Sequence, residues 1–400
     1  MHRQTWMALA LVITGIFIAS NLYTMLPLQP QLAEHFDISI TTASLASTFF
    51  IFPYALGLFF FGILADQIPH KRLLVFGMIS LVIISMLIGY APTFWVFLGM
   101  RAIQGVMAAS FAPTAFAYTF EHFQGQQQAF VIAMINTGFL FAGIFGQILS
   151  VALTDVGDSY KAVFFGFSFI YFLCFLAMSI SLYTSTKKKK KIVFALSPIL
   201  SFFQCRPLQK LYAIAFFLLM AVMLFYGSFE LYMYEVSMSI PFSLQTFRFI
   251  GLAGIIPAFF AGPLQKRFGA RLVLCLFLML MTLGISIPLF TINIWTLLVA
   301  SILLIASTTL TIPMVILLIG QFASHARASA VSIYSFTLLT GASIGSIVAA
   351  WVPFETVLVI VALLFASLSL LSLTIQKPSI FVESYQRKRM KQISGEIRNK

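Results

Sequence analysis

GILADQIPHKR, residues 62–72, is a charged turn set between two long apolar runs. TTASLASTFFIFPYALGLFFF precedes it and LLVFGMISLVIISMLIGY follows. Further down the chain GPLQKRFGARL, residues 262–272, repeats the arrangement, with Lys266 standing where the first copy has Asp66. A helix needs about 20 mostly apolar residues to cross a hydrocarbon layer about 30 Å thick. A polar turn between two runs of that length therefore reads as a point where the chain leaves lipid and re-enters it.

The composition agrees. The 400 residues are 60% hydrophobic and 9% charged, and 45 of them are Phe; the mean hydropathy is +1.01. Soluble chains are about 45–50% apolar and about 25% charged, so the expected solvent for these side chains is lipid. Cys174, Cys205 and Cys275 are scattered and odd in number, which predicts neither a disulfide nor a metal site. No A-x-A-like cleavage site follows the first apolar run, so that run is expected to stay as a permanent helix.

Twelve segments have the length and apolarity of a span: 6–26, 42–64, 73–91, 94–118, 129–152, 162–183, 211–233, 246–265, 272–291, 294–319, 328–350 and 354–374. Only closed backbone hydrogen bonding survives in hydrocarbon, so an all-α integral membrane fold is expected. Basic residues mark the cytoplasmic side of such a chain. With both termini cytoplasmic, the inner segments hold Arg3, Lys71, Arg72, the run 187–191, Arg206, Lys210, Lys266, Arg267, Arg271, Arg327 and seven basic residues of the tail, 21 of the 24 in the chain. The excess of 24 basic over 11 acidic residues is thus topology, and no nucleic-acid partner is expected. Contact of the 187–191 run and the 387–391 stretch of the tail with anionic membrane lipids is expected in addition.

Residues 184–210, basic and then amphipathic, interrupt the chain with six spans on either side. The expected organisation is a bundle over 1–183, a cytoplasmic linker over 184–210, a second bundle over 211–375 and a basic cytoplasmic tail over 376–400. Gly62 and Gly262 hold the same place in their halves, and FEHFQGQQQAF corresponds to QFASHARASAV after the fourth and tenth spans. Matching punctuation indicates an internal repeat of two pseudo-symmetric six-helix bundles. A parallel repeat of this kind is the plan of a transporter whose substrate sits between the halves near the midplane.

Several residues stand out against this background. Asp66 ends the second span, where the carbonyl end of a helix disfavours an acid. Its donors are Lys71, Arg72 or the N–H groups that open the eleventh span. An alternative is an ordinary charged turn. Arg101 lies inside the fourth span, where an unpaired cation costs at least ~2.5–3.5 kcal/mol; it is expected to face the interior and bond to polar groups. Gly138, Gly143 and Gly146 free a surface of the fifth span for close packing, expected against a helix of the other half. Glu230 is the acid furthest inside a span. Burial raises a carboxyl pKa, as a reversible proton carrier requires; pairing with Arg248 or exposure to water are the alternatives. Asn21, Tyr23, Thr24, Gln104 and Tyr226 are the expected polar and aromatic lining of a central cavity, with Phe and Met around them, which suits a hydrophobic or amphipathic solute. His122 and His325 are expected to be solvated in loops.

Gly62, Leu64, Ala65, Asp66, Lys71 and Arg72 resemble the signature of the major facilitator superfamily between helices 2 and 3, with His70 in place of its turn glycine. Gly262, Leu264, Arg267, Gly269 and Arg271 resemble the looser second copy. Arg101, Gln104 and Gly105 are similar to the family's Arg-x-x-Gln-Gly motif. Gly138, Ala142, Gly143 and Gly146 resemble the fifth-helix motif of its 12-helix drug/proton antiporter branch, although Gly143 replaces the usual proline and Gln147 a glycine. The resemblance covers nearly the whole chain. It implies a multi-pass protein of a bacterial-type plasma membrane that works as a monomer, without cofactor, by alternating access. It implies a switch built on Gly62, Asp66, Lys71 and Arg72, with Gly262, Arg267, Gly269 and Arg271 as the counterpart, and proton transfer involving Arg101. Many antiporters of the branch carry an acid in the first helix, where this chain has Asn21, Tyr23 and Thr24. The expected activity is proton-coupled efflux of a small hydrophobic or amphipathic solute, the alternative being proton-linked uptake or export of a specific metabolite or organic anion. No GxxxxGK[ST], H-x-x-x-x-D or H-E-x-x-H pattern occurs, so neither nucleotide-driven transport nor a membrane-embedded enzyme is expected.

Overall fold

The computed structural model describes residues 2–157, 159–184, 202, 205–236, 244–324, 326–349 and 351–375. The expected linker and tail therefore lie almost wholly outside the described residues. Among the described residues, twelve helices are long and apolar enough to cross a membrane: Arg3–Ser20, Leu45–Ala65, His70–Ile88, Phe94–His122, Gly125–Gly157, Tyr160–Ser181, Arg206–Phe229, Phe249–Phe268, Ala270–Phe290, Ile294–Phe322, Arg327–Ala349 and Phe354–Leu373. They are called the first to twelfth spans below. No strand occurs among the described residues.

Helix pairing repeats between the halves. The first span packs on the fifth and sixth, the second on the fourth, and the third on the fourth and sixth. The seventh packs on the eleventh and twelfth, the eighth on the tenth, and the ninth on the tenth and twelfth. The joints between halves repeat too: the second and fourth spans meet the eleventh, and the eighth and tenth meet the fifth. The fold is two six-helix bundles related by pseudo-symmetry.

Three spans are broken where an unbroken helix was expected. The first helix stops at Ser20, tightens through i−3 hydrogen bonds at Asn21, Leu22 and Tyr23, and resumes over Met25–Phe36. The fourth divides into Phe94–Ala108 and Phe111–His122. The eighth changes to a 3-10 helix over Leu252–Phe260, between α-helices Leu244–Gly251 and Ala261–Phe268. Pro257 and Pro263 lie in or just after that segment, and neither supplies an N–H for an α-helical bond.

Glycines set the closest approaches, and their partners correct one expectation. A Cβ at Gly138 would meet Ile16, and one at Gly146 would meet the Ser20 backbone. Gly143 faces the Tyr23 ring at 3.7 Å. These fifth-span glycines thus seat the first span of their own half, not a helix of the other. The reason is the repeat: Gly341 and Gly345 of the eleventh span seat the seventh in the same way, against the Phe216 and Met220 carbonyls. The fifth span touches the other half nearer its start, where Gln126 fills the space beside Gly262.

Gly105 carries the second–fourth span contact. A methyl there would stand 2.2 Å from the Phe50 carbonyl oxygen, and overpacking costs about 1–3 kcal/mol. Gly105→Ala is expected to melt at lower temperature than the parent in detergent. Gly99→Ala, with no atom within 4 Å of the new methyl, is the control and should melt no lower than the parent. Equal melting of the two variants would contradict the contact.

Candidate functional site

Two polar centres lie inside this frame. The first surrounds Arg101, which is completely buried. Its Nη1 donates to Asn21 Oδ1 and to Gln104 Oε1, both at 2.5 Å. Nε donates to the Ala46 carbonyl at 3.3 Å and Nη2 to the Asn21 carbonyl at 3.4 Å. The guanidinium lies 4.4 Å from the centre of the Phe50 ring. Gln104 Nε2 donates onward to Ser85 Oγ at 2.8 Å, and Asn21 Nδ2 to Tyr171 Oη at 2.9 Å. Five spans of one half are tied together in this way.

The break in the first span now has a cause. The turn at Asn21 presents both the side chain and the carbonyl of that residue to Arg101, which a continuous helix would not. Hydrogen bonds to charged groups contribute about 1.5–3 kcal/mol each, against the cost of placing a cation in hydrocarbon. Each of these partners is neutral, and no carboxylate lies within bonding distance of the guanidinium among the described residues.

The second centre lies at the end of the bundle that carries Lys71, Arg72, Lys266 and Arg267, called the basic end here. Asp66 Oδ1 accepts from the Ala328 N–H at 3.0 Å. Asp66 Oδ2 accepts from the Ser329 N–H at 2.9 Å and the Ser329 hydroxyl at 2.6 Å. A carboxylate of one half thus caps the first turn of the eleventh span, in the other half, where free N–H groups and the helix dipole favour an anion. Burial pushes the Asp66 carboxyl above its ordinary range, while the donors of Ser329 and Ala328 and the nearby His70 pull against that rise. Gly62 makes the approach possible, since a methyl there would fall 2.0 Å from Ser332 Oγ.

Lys71 and Arg72, the other donors considered for Asp66, serve elsewhere or face outward. Lys71 Nζ caps the end of the sixth span through the Ser179 and Leu182 carbonyls at 2.7 and 2.8 Å, and Arg72 is exposed. His70, in place of the turn glycine, sits 2.6 Å from Glu121 at the end of the fourth span. Arg327 donates to the Gly320 carbonyl at 3.1 Å and to the Phe120 carbonyl of the other half at 3.4 Å. Among the second-half counterparts, Arg271 donates to the Leu373 carbonyl, Arg267 lies beside the Phe268 ring, and Gly269 takes a φ of 78°, a conformation that favours glycine.

Of the remaining expected residues, Thr24 reaches the Arg101 centre through a shared acceptor, the Asn21 carbonyl, and Tyr23 and Tyr226 stand apart. Thr24 hydrogen-bonds back to the Asn21 carbonyl at 3.1 Å, and Tyr23 is half-buried under Gly143. Tyr226 pairs with Ser301 in the second half, 2.6 Å between hydroxyl oxygens. The side chains of Glu230 and Arg248, and His325 altogether, lie outside the described residues. His122 is not the solvated loop residue expected: it ends the fourth span, stacked 4.0 Å from the Tyr118 ring. Sequence reasoning missed Ser85, Tyr171, Glu121, Ser301 and Ser329. Each is a polar residue within or at the end of an apolar span, and that was the signal available.

Residues 11–260 match the family described as Major Facilitator Superfamily. The chain is 25% identical over 335 residues to an uncharacterized MFS-type transporter, YybF, of Bacillus subtilis, covering 81% of this chain and 80% of the relative. It is 25% identical over 263 residues to the multidrug resistance protein MdtG of Proteus mirabilis, covering 64% and 63%. The human organic anion transporter MFSD10 has the same fold, with a TM-score of 0.75 at 14% identity over 92% of this chain and 99% of that one. So does the Escherichia coli fucose:proton symporter FucP, with a TM-score of 0.72 at 16% identity over 93% and 98%.

The Arg101 network makes a specific demand. Lysine offers a compact point charge instead of a planar fork and cannot serve Ala46, Asn21 and Gln104 together. Arg101→Lys should destabilise the protein by about 1–3 kcal/mol through the acceptors left unpaired, read as a lower unfolding temperature. Unchanged melting would mean that the network does not hold these spans together.

Proposed function

The chain belongs to the major facilitator superfamily, a family of transporters rather than enzymes, and we propose that it exports a small hydrophobic or amphipathic solute by proton-coupled alternating access. One observation carries the alternating-access reading: Asp66 of one half caps the eleventh span of the other. That cap exists only while the halves touch at the basic end. The positive-inside rule makes this end cytoplasmic, so the described state is closed toward the cytoplasm. Release of the cap, with separation of Gly62 from Ser332, opens the path inward. The N-terminal bundle 1–183 and the C-terminal bundle 211–375 move as the two bodies, joined in sequence by 184–210. A single chain suffices, and a bacterial-type plasma membrane is its site.

The substrate class rests on the interior. The buried side chains of the described spans are mainly apolar, with isolated hydroxyls. Ser307 and Thr311 of the tenth span and Tyr334 of the eleventh are buried with no hydrogen-bond partner, and they are candidate substrate contacts. The name of the MdtG relative, a multidrug resistance protein, supports efflux of such compounds. Glu230 is the candidate proton carrier and Arg101 the cation that biases it. A second reading has its own support: Arg101 bonds to neutral acceptors alone, so an organic anion is an alternative cargo.

Proteoliposomes with an imposed pH gradient, tested against apolar cations, neutral amphipaths and organic anions, decide between these readings. Gradient-driven uptake of the first two classes into everted vesicles supports the proposal, and flux confined to organic anions supports the second reading. Flux indifferent to the gradient overturns proton coupling. Glu230→Gln is expected to abolish substrate-induced proton movement; if that movement survives, the carrier is another group.

Asp66→Asn replaces an ionised acceptor with a neutral one, at a cost of about 1.5–3 kcal/mol. That shifts the closed-to-open ratio by about tenfold or more. Transport should fall while membrane insertion stays normal. Full transport by the inserted variant would remove the cap from the mechanism.

A further inference from the structure

The eighth span has a feature that the transport cycle leaves unused. Its 3-10 segment and the short helix after it do not fill the outer surface of the bundle, and a cleft of about 350 Å³ remains there. Ile256, Pro257, Phe260, Leu264 and Phe268 line it, and Arg267 stands at its basic end. Ile256 and Phe260 are 60% and 57% exposed. The opposite face of the same helix is pressed against the other half, with Gly262 on Gln126.

We infer that this cleft is a binding site for an anionic phospholipid, its acyl chain along Ile256, Phe260 and Leu264 and its phosphate on Arg267. Charge selects this occupant. Arg267 has no carboxylate within 4 Å among the described residues; the ion pair formed there is that of His70 with Glu121. Lys266 precedes it and is exposed. In the sequence from 206 to 375 the acids are Glu230, Glu235 and Glu355. All three fall at the ends of the seventh and twelfth spans away from Lys266 and Arg267. Over 206–375 the basic end of this half therefore carries no acid, the acids beyond it in the sequence being Glu383 and Glu396 of the tail, and a lipid phosphate is the anion that the membrane offers at this level. An apolar slot closed by basic side chains at headgroup level is the chemistry that retains anionic lipids. The bound lipid would brace the eighth span beside its contact with the fifth. This inference rests on the membrane placement of the spans and is independent of the cargo proposed above.

The test is headgroup-selective quenching in the full-length protein. Phe260→Trp puts an indole in the cleft, and the parent protein, with its own four Trp, supplies the background. The variant is reconstituted in phosphatidylcholine containing a small fraction of brominated phosphatidylglycerol or, separately, brominated phosphatidylcholine. Basic side chains near the surface imply an enrichment of about fivefold, equivalent to about 1 kcal/mol, so the brominated anionic lipid should quench the added indole more strongly by that order. In Phe260→Trp with Arg267→Gln the two lipids should quench alike, and Arg267→Lys should restore part of the preference. Equal quenching by both lipids with Arg267 intact would overturn the site, leaving ordinary annular lipid. An indole quenched by neither would mean that protein, such as a second copy of the chain, covers the cleft.

Discussion

Hydrocarbon has nothing to offer a polar group, so the backbone N–H and carbonyl groups within the spans must find partners inside the protein, and most side-chain hydroxyls there do the same. Much of the architecture follows from that constraint. Hydroxyls along the spans turn back to the carbonyl four residues earlier, as Thr119 does to Ala115, Thr308 to Leu304 and Ser335 to Val331. Helices approach where a missing side chain lets one backbone rest on another, as at Gly105 and Gly341. The buried guanidinium of Arg101 draws a helix break, two amides and two backbone carbonyls around itself. The break at Asn21, which looks like a defect in a membrane helix, is the means by which Arg101 is accommodated.

The same constraint gives the pseudo-symmetry its limits. Both joints between the halves use a glycine at the equivalent place, Gly62 on Ser332 and Gly262 on Gln126. Only the first adds a carboxylate. At the second joint the equivalent residue is Lys266, close to where the fifth span begins at Gly125. A cation there would face the positive end of a helix dipole and gain nothing. The Lys266 side chain is accordingly exposed, and the second joint rests on packing.

How much of this was legible in the sequence follows from which information is local. Hydrophobic run length and basic turns are local, and they gave twelve spans close to those observed. The repeat was legible because Gly62 and Gly262 punctuate it. Rotation of one helix about its axis relative to another is not local. The fifth-span glycines were recognised, but their partner was not, since the face they occupy points to the first span only once the bundle has closed. For the same reason Asn21 and Gln104 were legible as interior polar residues, while Ser85 and Tyr171 at the far ends of their hydrogen bonds were not. Asp66 was the favourable case: helix polarity restricts where an acid can go, and the start of the eleventh span was among the few places available.

A latch in a transporter must also open. Three hydrogen bonds to a buried, unscreened carboxylate would hold the halves too firmly for rapid exchange. Asp66 is only partly buried, so water can take over from Ser329 as the halves part, and the net difference is smaller than the sum of the bonds. The neighbouring charges are held mostly within their own half. Glu121 is paired with His70, Lys71 with the end of the sixth span, and Arg327 chiefly with Gly320. When the halves separate, Glu121, His70 and Lys71 keep these partners and Arg327 gives up only its bond to the Phe120 carbonyl, whereas Asp66 loses all three of its bonds. Concentrating the change on one acid keeps the opening cost low while leaving it sensitive to a single substitution.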